Sequence, residues 1–279
     1  MTFDAPFLAT FLKTRAGLVI TADKTYLIES RLQPVARKHK FPSLAELVTA
    51  LKFRPSEAVV RDVIDAMTTH ETSFFRDTRP FEVFRTGVLP KLLAARTVKK
   101  SLRIWCAAAS SGQEPYSLAM ILKEEAAKLA GWRIEILGTD ISHDVCEKAR
   151  QGIYSQFEVQ RGTPSTMLVK YFQKVGDNWQ VKPEIREMVQ FRAGNLLDNL
   201  TAMGQFDVVF CRNVLIYFDP PTKTRVLGAI SRQMADDGVL FLGGAETVLG
   251  VSAEFQPIAG QRGAYQVAPR GQSALKKAG

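Results

Sequence analysis

The first quarter of the chain carries apolar residues at helical spacing. Phe7, Leu8, Phe11 and Leu12 form one stripe and Leu27, Ile28, Leu32 and Val35 a second; Leu44, Leu47, Val48 and Leu51 form a third and Val59, Val60, Val63, Ile64 and Met67 a fourth. Recurrence at three- and four-residue intervals predicts amphipathic helices, so residues 1–75 read as a small helical bundle without a strand. Ser43, with Glu46 three residues on, fits a capping box for the third helix, and Pro34 is expected to kink or shorten the second. From residue 101 the texture changes to short β-rich runs: LRIWCA (102–107), RIEILG (133–138), MVQFRA (188–193), FDVVFC (206–211), GVLFLGG (238–244) and AYQVA (264–268). Helical stretches at 114–130, 144–151 and 223–234 alternate with them. That alternation predicts an α/β domain over 101–268 with a parallel sheet covered by helices. Residues 76–100 read as linker and junction, and 269–279 as a flexible tail. The piece from Val159 to Pro183 breaks the alternation, and Val175-Gly176-Asp177-Asn178-Trp179 reads as a hairpin turn, so a small β-insert is expected near 168–190.

Composition narrows this further. With 279 residues, 46% hydrophobic and 23% charged, the chain is no disordered or low-complexity protein and can bury a large core. Cys106, Cys146 and Cys211 make an odd count without ligand spacing, which points away from a disulfide framework or a zinc site and towards a reducing, cytoplasmic setting. The start, MTFDAPFLATFLKTR, lacks a charged n-region followed by an apolar h-region, and no stretch approaches the roughly 20 apolar residues of a spanning helix, so no membrane insertion is expected. The net charge is +9, and the first 100 residues hold 17 Lys and Arg against 10 Asp and Glu. Nucleic acid, anionic membrane and acidic protein surfaces are therefore the partner classes to weigh, with the basic character in the helical part.

Ligands of open α/β sheets bind outside the carboxyl ends of the strands, so the segment after each strand carries the candidate chemistry. After the first comes Ala107-Ala108-Ala109-Ser110-Ser111-Gly112-Gln113-Glu114-Pro115, small residues that let a ligand approach the backbone or merely make a tight turn. The second ends in Gly138-Thr139-Asp140, whose carboxylate can accept from two ribose hydroxyls or cap the next helix. Gly194-Asn195-Leu196-Leu197-Asp198 offers an amide that pairs with an adenine edge, or a turn residue. Cys211-Arg212-Asn213-Val214-Leu215-Ile216-Tyr217-Phe218 brings polar groups and a phenol to the same mouth. Thr68-Thr69-His70-Glu71-Thr72-Ser73-Phe74-Phe75-Arg76-Asp77, at the domain junction, reads as a ligand-facing segment or as a helix end plugged by its two phenylalanines.

Taken in order, Thr72 to Arg76, Ala107 to Ser117, Gly138 to Asp140, Asn195 to Leu197 and Cys211 to Phe218 resemble the motif set of the CheR family, the bacterial chemoreceptor glutamate methyltransferases, over about residues 3–268. The resemblance implies a class I S-adenosylmethionine-dependent methyltransferase fold, Rossmann-like and mainly parallel with an antiparallel last strand. A small all-helical N-terminal domain and an inserted β-subdomain go with it. It implies methyl transfer from S-adenosylmethionine, without a metal, to glutamate side chains on acidic chemoreceptor helices, leaving S-adenosylhomocysteine. By position, Glu114 and Asp140 hold the methionine amino end and the ribose hydroxyls, while Asn195, Leu196, Arg212 and Asn213 line the adenine and sulfonium side. His70, Thr72 and Arg76 reach in from the junction, and Arg76 and Tyr217 lie beside the transferred methyl. Two departures stand out: His70 replaces the usual Asn of the junction motif, and Gln113 a Glu. The insert also lacks a Gly-Arg-Gly-like loop, so dependence on a receptor C-terminal pentapeptide is not expected.

A glutamate carboxylate, with an ordinary pKa of about 4.3, is already a nucleophile at neutral pH, so in-line geometry matters more than a general base. Lys24, Arg31 and Lys38 recur every seven residues, within about 40° on an ideal helix, with Arg37 further round; they read as a docking face for an acidic helix or as a solvated face. Nothing in the chain demands more than a monomer. A non-catalytic S-adenosylmethionine or S-adenosylhomocysteine sensor shares every cofactor residue but has no use for Arg76 with Tyr217. A nucleic-acid methyltransferase lacks its Asn-Pro-Pro-Tyr-type motif here.

Overall fold

The computed structural model describes residues 3–21 and 25–269, and the chain divides into two compact units, residues 1–70 with 217–222 and residues 71–216 with 223–279. Lys24 and the tail beyond Pro269 lie outside the described residues.

The smaller unit is built from helices α1 (Ala5–Ala16), α2 (Thr25–Lys38), α3 (Leu44–Phe53) and α4 (Glu57–Met67). Each apolar stripe turns inward: Leu8, Leu12, Leu32, Leu47 and Val63 are fully buried. The side chains of Asp4, Ser43 and Ser56 accept from the backbone N–H three residues on, the N-cap bond that short polar side chains make. α2 runs four residues past Pro34, so the proline does not end it. Gly17, with φ +75, closes α1 and lies under the ring of Phe218; a Cβ there would sit 2.8 Å from it. The segment 217–222 joins this unit through Val19 N–H, which donates to the Tyr217 carbonyl at 3.0 Å, and through Lys13 and Asp219 at 2.6 Å.

The larger unit opens on α5 (Arg79–Val83), a π-helical turn over Phe84–Val88 and α6 (Leu89–Ala95). Residues 76–100 are thus more than a linker, because Phe81, Phe84, Val88, Leu89 and Leu92 are buried in the core of this unit. Their helical spacing is broken by Pro80 and Pro90, which hides the periodicity. There follow β1 (Ser101–Ala107), α7 (Gln113–Glu124), β2 (Arg133–Asp140), α8 (His143–Gln151), β3 (Ile153–Tyr154), α9 (Gln156–Gln160), α10 (Ser165–Tyr171), β4 (Phe172–Val175), β5 (Asn178–Val181), α11 (Pro183–Arg186), β6 (Val189–Ala193), β7 (Phe206–Cys211), α12 (Pro220–Arg232), β8 (Met234–Leu242), β9 (Phe255–Pro257) and β10 (Ala264–Val267). The main sheet has the order β6-β2-β1-β7-β8-β10-β9. Its first five strands are parallel, while β10 runs antiparallel to β8 and to β9. Helices cover both faces, so β7 is buried along its whole length and reads as a continuous apolar run. β3, β5 and β4 form a separate three-stranded antiparallel sheet turned at Gly176.

Strand order reverses between β2 and β7, on either side of β1. Such a switch point leaves a crevice at the carboxyl ends, where the loops after β1, β2, β6 and β7 emerge.

Candidate active site

The loop after β1 is held open by backbone that L-residues seldom adopt. Ala108 has φ 63 and Ser110 φ 50, and Gly112, at φ +95, has no room for a Cβ, which would lie 2.9 Å from that of Ala149. Compensation comes from hydrogen bonds: Ala109 N–H donates to the Thr139 carbonyl at 2.8 Å, Ser110 N–H to Asp140 Oδ2 at 2.8 Å, and the Tyr154 hydroxyl to the Ser111 carbonyl at 2.6 Å. Asp140 is 6% exposed and also accepts from Ser142 N–H at 3.0 Å. Its carboxylate therefore locks the end of β2 to the β1 loop; the helix-capping duty falls to Ser142, which accepts from Val145 N–H.

Glu114 and Arg212 form the centre. Arg212 Nη1 donates to Glu114 Oε2 at 2.7 Å, and its side chain is 1% exposed. Nη2 donates to the Arg76 carbonyl at 2.9 Å and to Asp77 Oδ2 at 2.6 Å. Burial pushes the Glu114 carboxyl above its usual range, against the opposing pull of the adjacent guanidinium. Arg212 Nε is buried without a hydrogen-bond partner in the protein, an orphaned donor that fits a ligand carrying an acceptor. Arg76 itself is half-buried and donates from Nη1 to the Glu71 carbonyl at 2.7 Å; Glu71 in turn accepts from Arg161 at 2.7 Å. Asp77, next in sequence to Arg76, takes Arg212 as its partner.

Asn195 accepts from Leu197 N–H at 3.0 Å in an Asx turn, and Leu196 is buried beside it. Thr72 is half-buried near the start of this unit. Asn213, at φ 59, has its N–H on Glu246 Oε2 at 2.8 Å. Glu246 drew no notice in the sequence, yet its carboxylate also accepts from Gly243 N–H at 2.7 Å, Val214 N–H at 3.0 Å and Ile216 N–H at 3.3 Å. The available signal was the Gly243-Gly244 pair at the carboxyl end of β8, where a lone acid looked like an ordinary surface residue.

His70 and Tyr217 belong to the helical unit. His70 Nε2 lies 3.0 Å from Thr68 Oγ1. Of the stripe on α2, Arg31 is engaged internally: Nη1 donates to the Met67 and Thr68 carbonyls at 3.0 and 3.3 Å, closing the carbonyl end of α4. Lys38 pairs with Asp62 at 2.7 Å and Arg37 is exposed. Asp62, pushed up by burial, is nonetheless held below the usual carboxylate range by Lys38 and His39. Among the described residues no helix is long and apolar enough to cross a membrane, and no group of three or more His, Cys, Asp or Glu is placed to hold a metal ion.

A mainly parallel sheet with antiparallel closing strands, with one buried acid following β1 and another ending β2, defines a class I methyltransferase that uses S-adenosylmethionine. Residues 70–264 match the CheR methyltransferase SAM-binding domain and residues 5–68 the CheR methyltransferase all-alpha domain, and the chain belongs to this family. A chemotaxis protein methyltransferase of Pseudomonas putida is 39% identical over 252 residues, 89% of this chain and 91% of the relative. One from Pseudomonas aeruginosa is 41% identical over 260 residues, 91% and 94% of the two chains, and one from Vibrio parahaemolyticus is 38% identical over 251 residues, 89% and 90%.

Proposed function

We propose that this enzyme transfers a methyl group from S-adenosylmethionine to glutamate side chains of chemoreceptors in the cytoplasm, and that it does so without a receptor C-terminal pentapeptide. The observation that carries the reading is the buried Glu114–Arg212 pair, joined to the Arg76 backbone at the carboxyl ends of β1 and β7. In this reading Glu114 takes the amino group of the methionine portion, Asp140 the ribose hydroxyls, and Asn195, Leu196, Arg212 and Asn213 the adenine and sulfonium side, with His70 and Thr72 completing the set. The cofactor supplies an electrophilic methyl on a sulfonium. The chain's part is orientation: the Arg76 guanidinium offers two parallel N–H donors to an incoming carboxylate and exchanges its bond to the Glu71 carbonyl for it. A carboxylate with a pKa of about 4.3 needs no base, so Arg76 aligns it without having to activate it. Tyr217 donates its hydroxyl to the same carboxylate or shapes the methyl site. The exposed Arg37 and Lys38, with Lys24, meet an acidic receptor helix, while Arg31 supports that face from within through α4.

The test is to mix the protein with tritium-labelled S-adenosylmethionine and receptor-bearing membranes. Label released by mild base as methanol is expected; incorporation that resists base would refute carboxyl methylation. Arg76→Ala should lower kcat strongly with cofactor binding kept, and Arg37→Glu with Lys38→Glu should raise the KM for receptor. Tight calorimetric binding of a receptor-tail pentapeptide would overturn the tether-free reading.

A further inference from the structure

The backbone around Arg76 is strained on both sides. Phe75 has φ 50, Asp77 φ 67 and Thr78 φ 44, three left-handed non-glycine residues within four positions, one of them aromatic and one β-branched. Thr78, with ψ −53, sits at the centre of a three-residue turn closed by Arg79 N–H on the Asp77 carbonyl, a conformation that side chains seldom tolerate. Strain of this kind persists only where the surroundings over-determine it. Here they do. Ahead of Arg76, Phe74 is packed edge-on against Tyr154 and Phe172, with ring centres 5.1 and 5.2 Å away. The Phe75 N–H donates to Ser117 Oγ at 2.9 Å, and that hydroxyl, fully buried, donates on to the Gln113 carbonyl at 2.7 Å. Behind it, Asp77 receives Arg212 Nη2, the same nitrogen that holds the Arg76 carbonyl.

We infer that Asp77 and Ser117 are positioning residues: they fasten the strained turn fore and aft, and thereby set the direction in which Arg76 presents its guanidinium to the acceptor carboxylate. The inference rests on the reading of Arg76 as the residue that orients the acceptor. Asp77 acts through Arg212, and Ser117 through the Phe75 backbone. The strain explains why both are needed, since a turn released at either end relaxes towards ordinary φ and carries Arg76 with it.

The experiment measures kcat, KM for receptor and S-adenosylhomocysteine affinity for Asp77→Gly, Asp77→Asn and Ser117→Ala, each alone and combined with Arg76→Ala. Glycine keeps the left-handed φ but removes the acceptor; asparagine keeps both an acceptor oxygen and tolerance of positive φ. Asp77→Gly and Ser117→Ala are expected to lower kcat by up to about a hundredfold, as misplacement of a catalytic group by ~1 Å does, with S-adenosylhomocysteine affinity retained. Asp77→Asn is expected to restore most of kcat, and neither loss should appear in the Arg76→Ala background. Losses that add to that of Arg76→Ala, or that track loss of cofactor binding, would overturn the inference. Wild-type kcat in Arg76→Ala alone would instead sink the reading of Arg76, and a thermal midpoint for each variant separates both outcomes from misfolding. Should Asp77→Gly fail to fold, Ser117→Ala decides.

Discussion

Replacing Glu246 by alanine removes one carboxylate and strands four backbone donors at once. Its two oxygens accept from Asn213, Gly243, Val214 and Ile216, at 2.8, 2.7, 3.0 and 3.3 Å. A hydrogen bond to a charged group contributes ~1.5–3 kcal/mol when water cannot replace it. Gly243 is buried and Asn213 and Val214 are half-buried, while Ile216 is exposed and its bond is the longest. Taking three bonds, each discounted to about 1 kcal/mol for partial hydration, gives a loss of about 3 kcal/mol. At ~2–4 °C per kcal/mol for units of this size, the thermal midpoint of the larger unit should fall by about 6–12 °C in differential scanning calorimetry. Glu246→Gln should not rescue it, because the amide NH₂ faces N–H groups where only acceptors fit. Gly243→Ala supplies a control from the other side, since its Cβ would sit 2.8 Å from both Asn213 Nδ2 and Glu246 Oε2. If Glu246→Ala melts within about 2 °C of the wild type, less than 1 kcal/mol is at stake and the clasp contributes nothing of this size.

Three further outcomes are expected. Lys13 and the Thr222 hydrogen bonds depress the Asp219 carboxyl from 3.8 to about 2. A depressed acid stabilises the fold above its unfolded pKa and loses that contribution as pH falls through the folded one, so the midpoint advantage of wild type over Asp219→Asn should be full at pH 6 and fade between about pH 4 and 2; a pH-independent difference would refute the linkage. Asp207, 5% exposed, accepts from Arg96 at 2.8 Å and from Arg103 N–H at 2.7 Å, so Asp207→Ala, which strands the Arg103 N–H and leaves the partly buried Arg96 with only the exposed Asp237, should cost about 1–3 kcal/mol in urea unfolding. Gly162→Ala should destabilise the larger unit by more than the ~1–2 kcal/mol of its left-handed φ, because the new Cβ would lie 2.1 Å from the Phe74 carbonyl oxygen; an unchanged midpoint would show that the 161–163 loop moves aside freely.

Periodicity alone determined the two-part organisation of this chain. Leu8, Leu12, Leu32, Leu47 and Val63 recur at helical spacing and are buried as that spacing requires, and the run FDVVFC, apolar without alternation, is a strand covered on both faces. The positions of Glu114 and Asp140 were equally legible, since the chain direction of a parallel sheet places the segments after β1 and β2 at one edge. Other features were not. Short strands such as β3 and β9, two and three residues long, leave no periodic trace, and prolines disguised the helices between Arg79 and Ala95. Which partner each charge takes was settled only by tertiary structure. Arg31 and Lys38 share a stripe on α2, but one closes the end of α4 and the other meets Asp62. Arg212 lies 98 residues from Glu114 and 135 from Asp77, and the Glu246 carboxylate 33 from the Asn213 N–H it accepts. Side-chain type states what a residue is able to bond. Only the packed fold, which excludes water and limits the acceptors within a buried donor's reach, decides what it does bond.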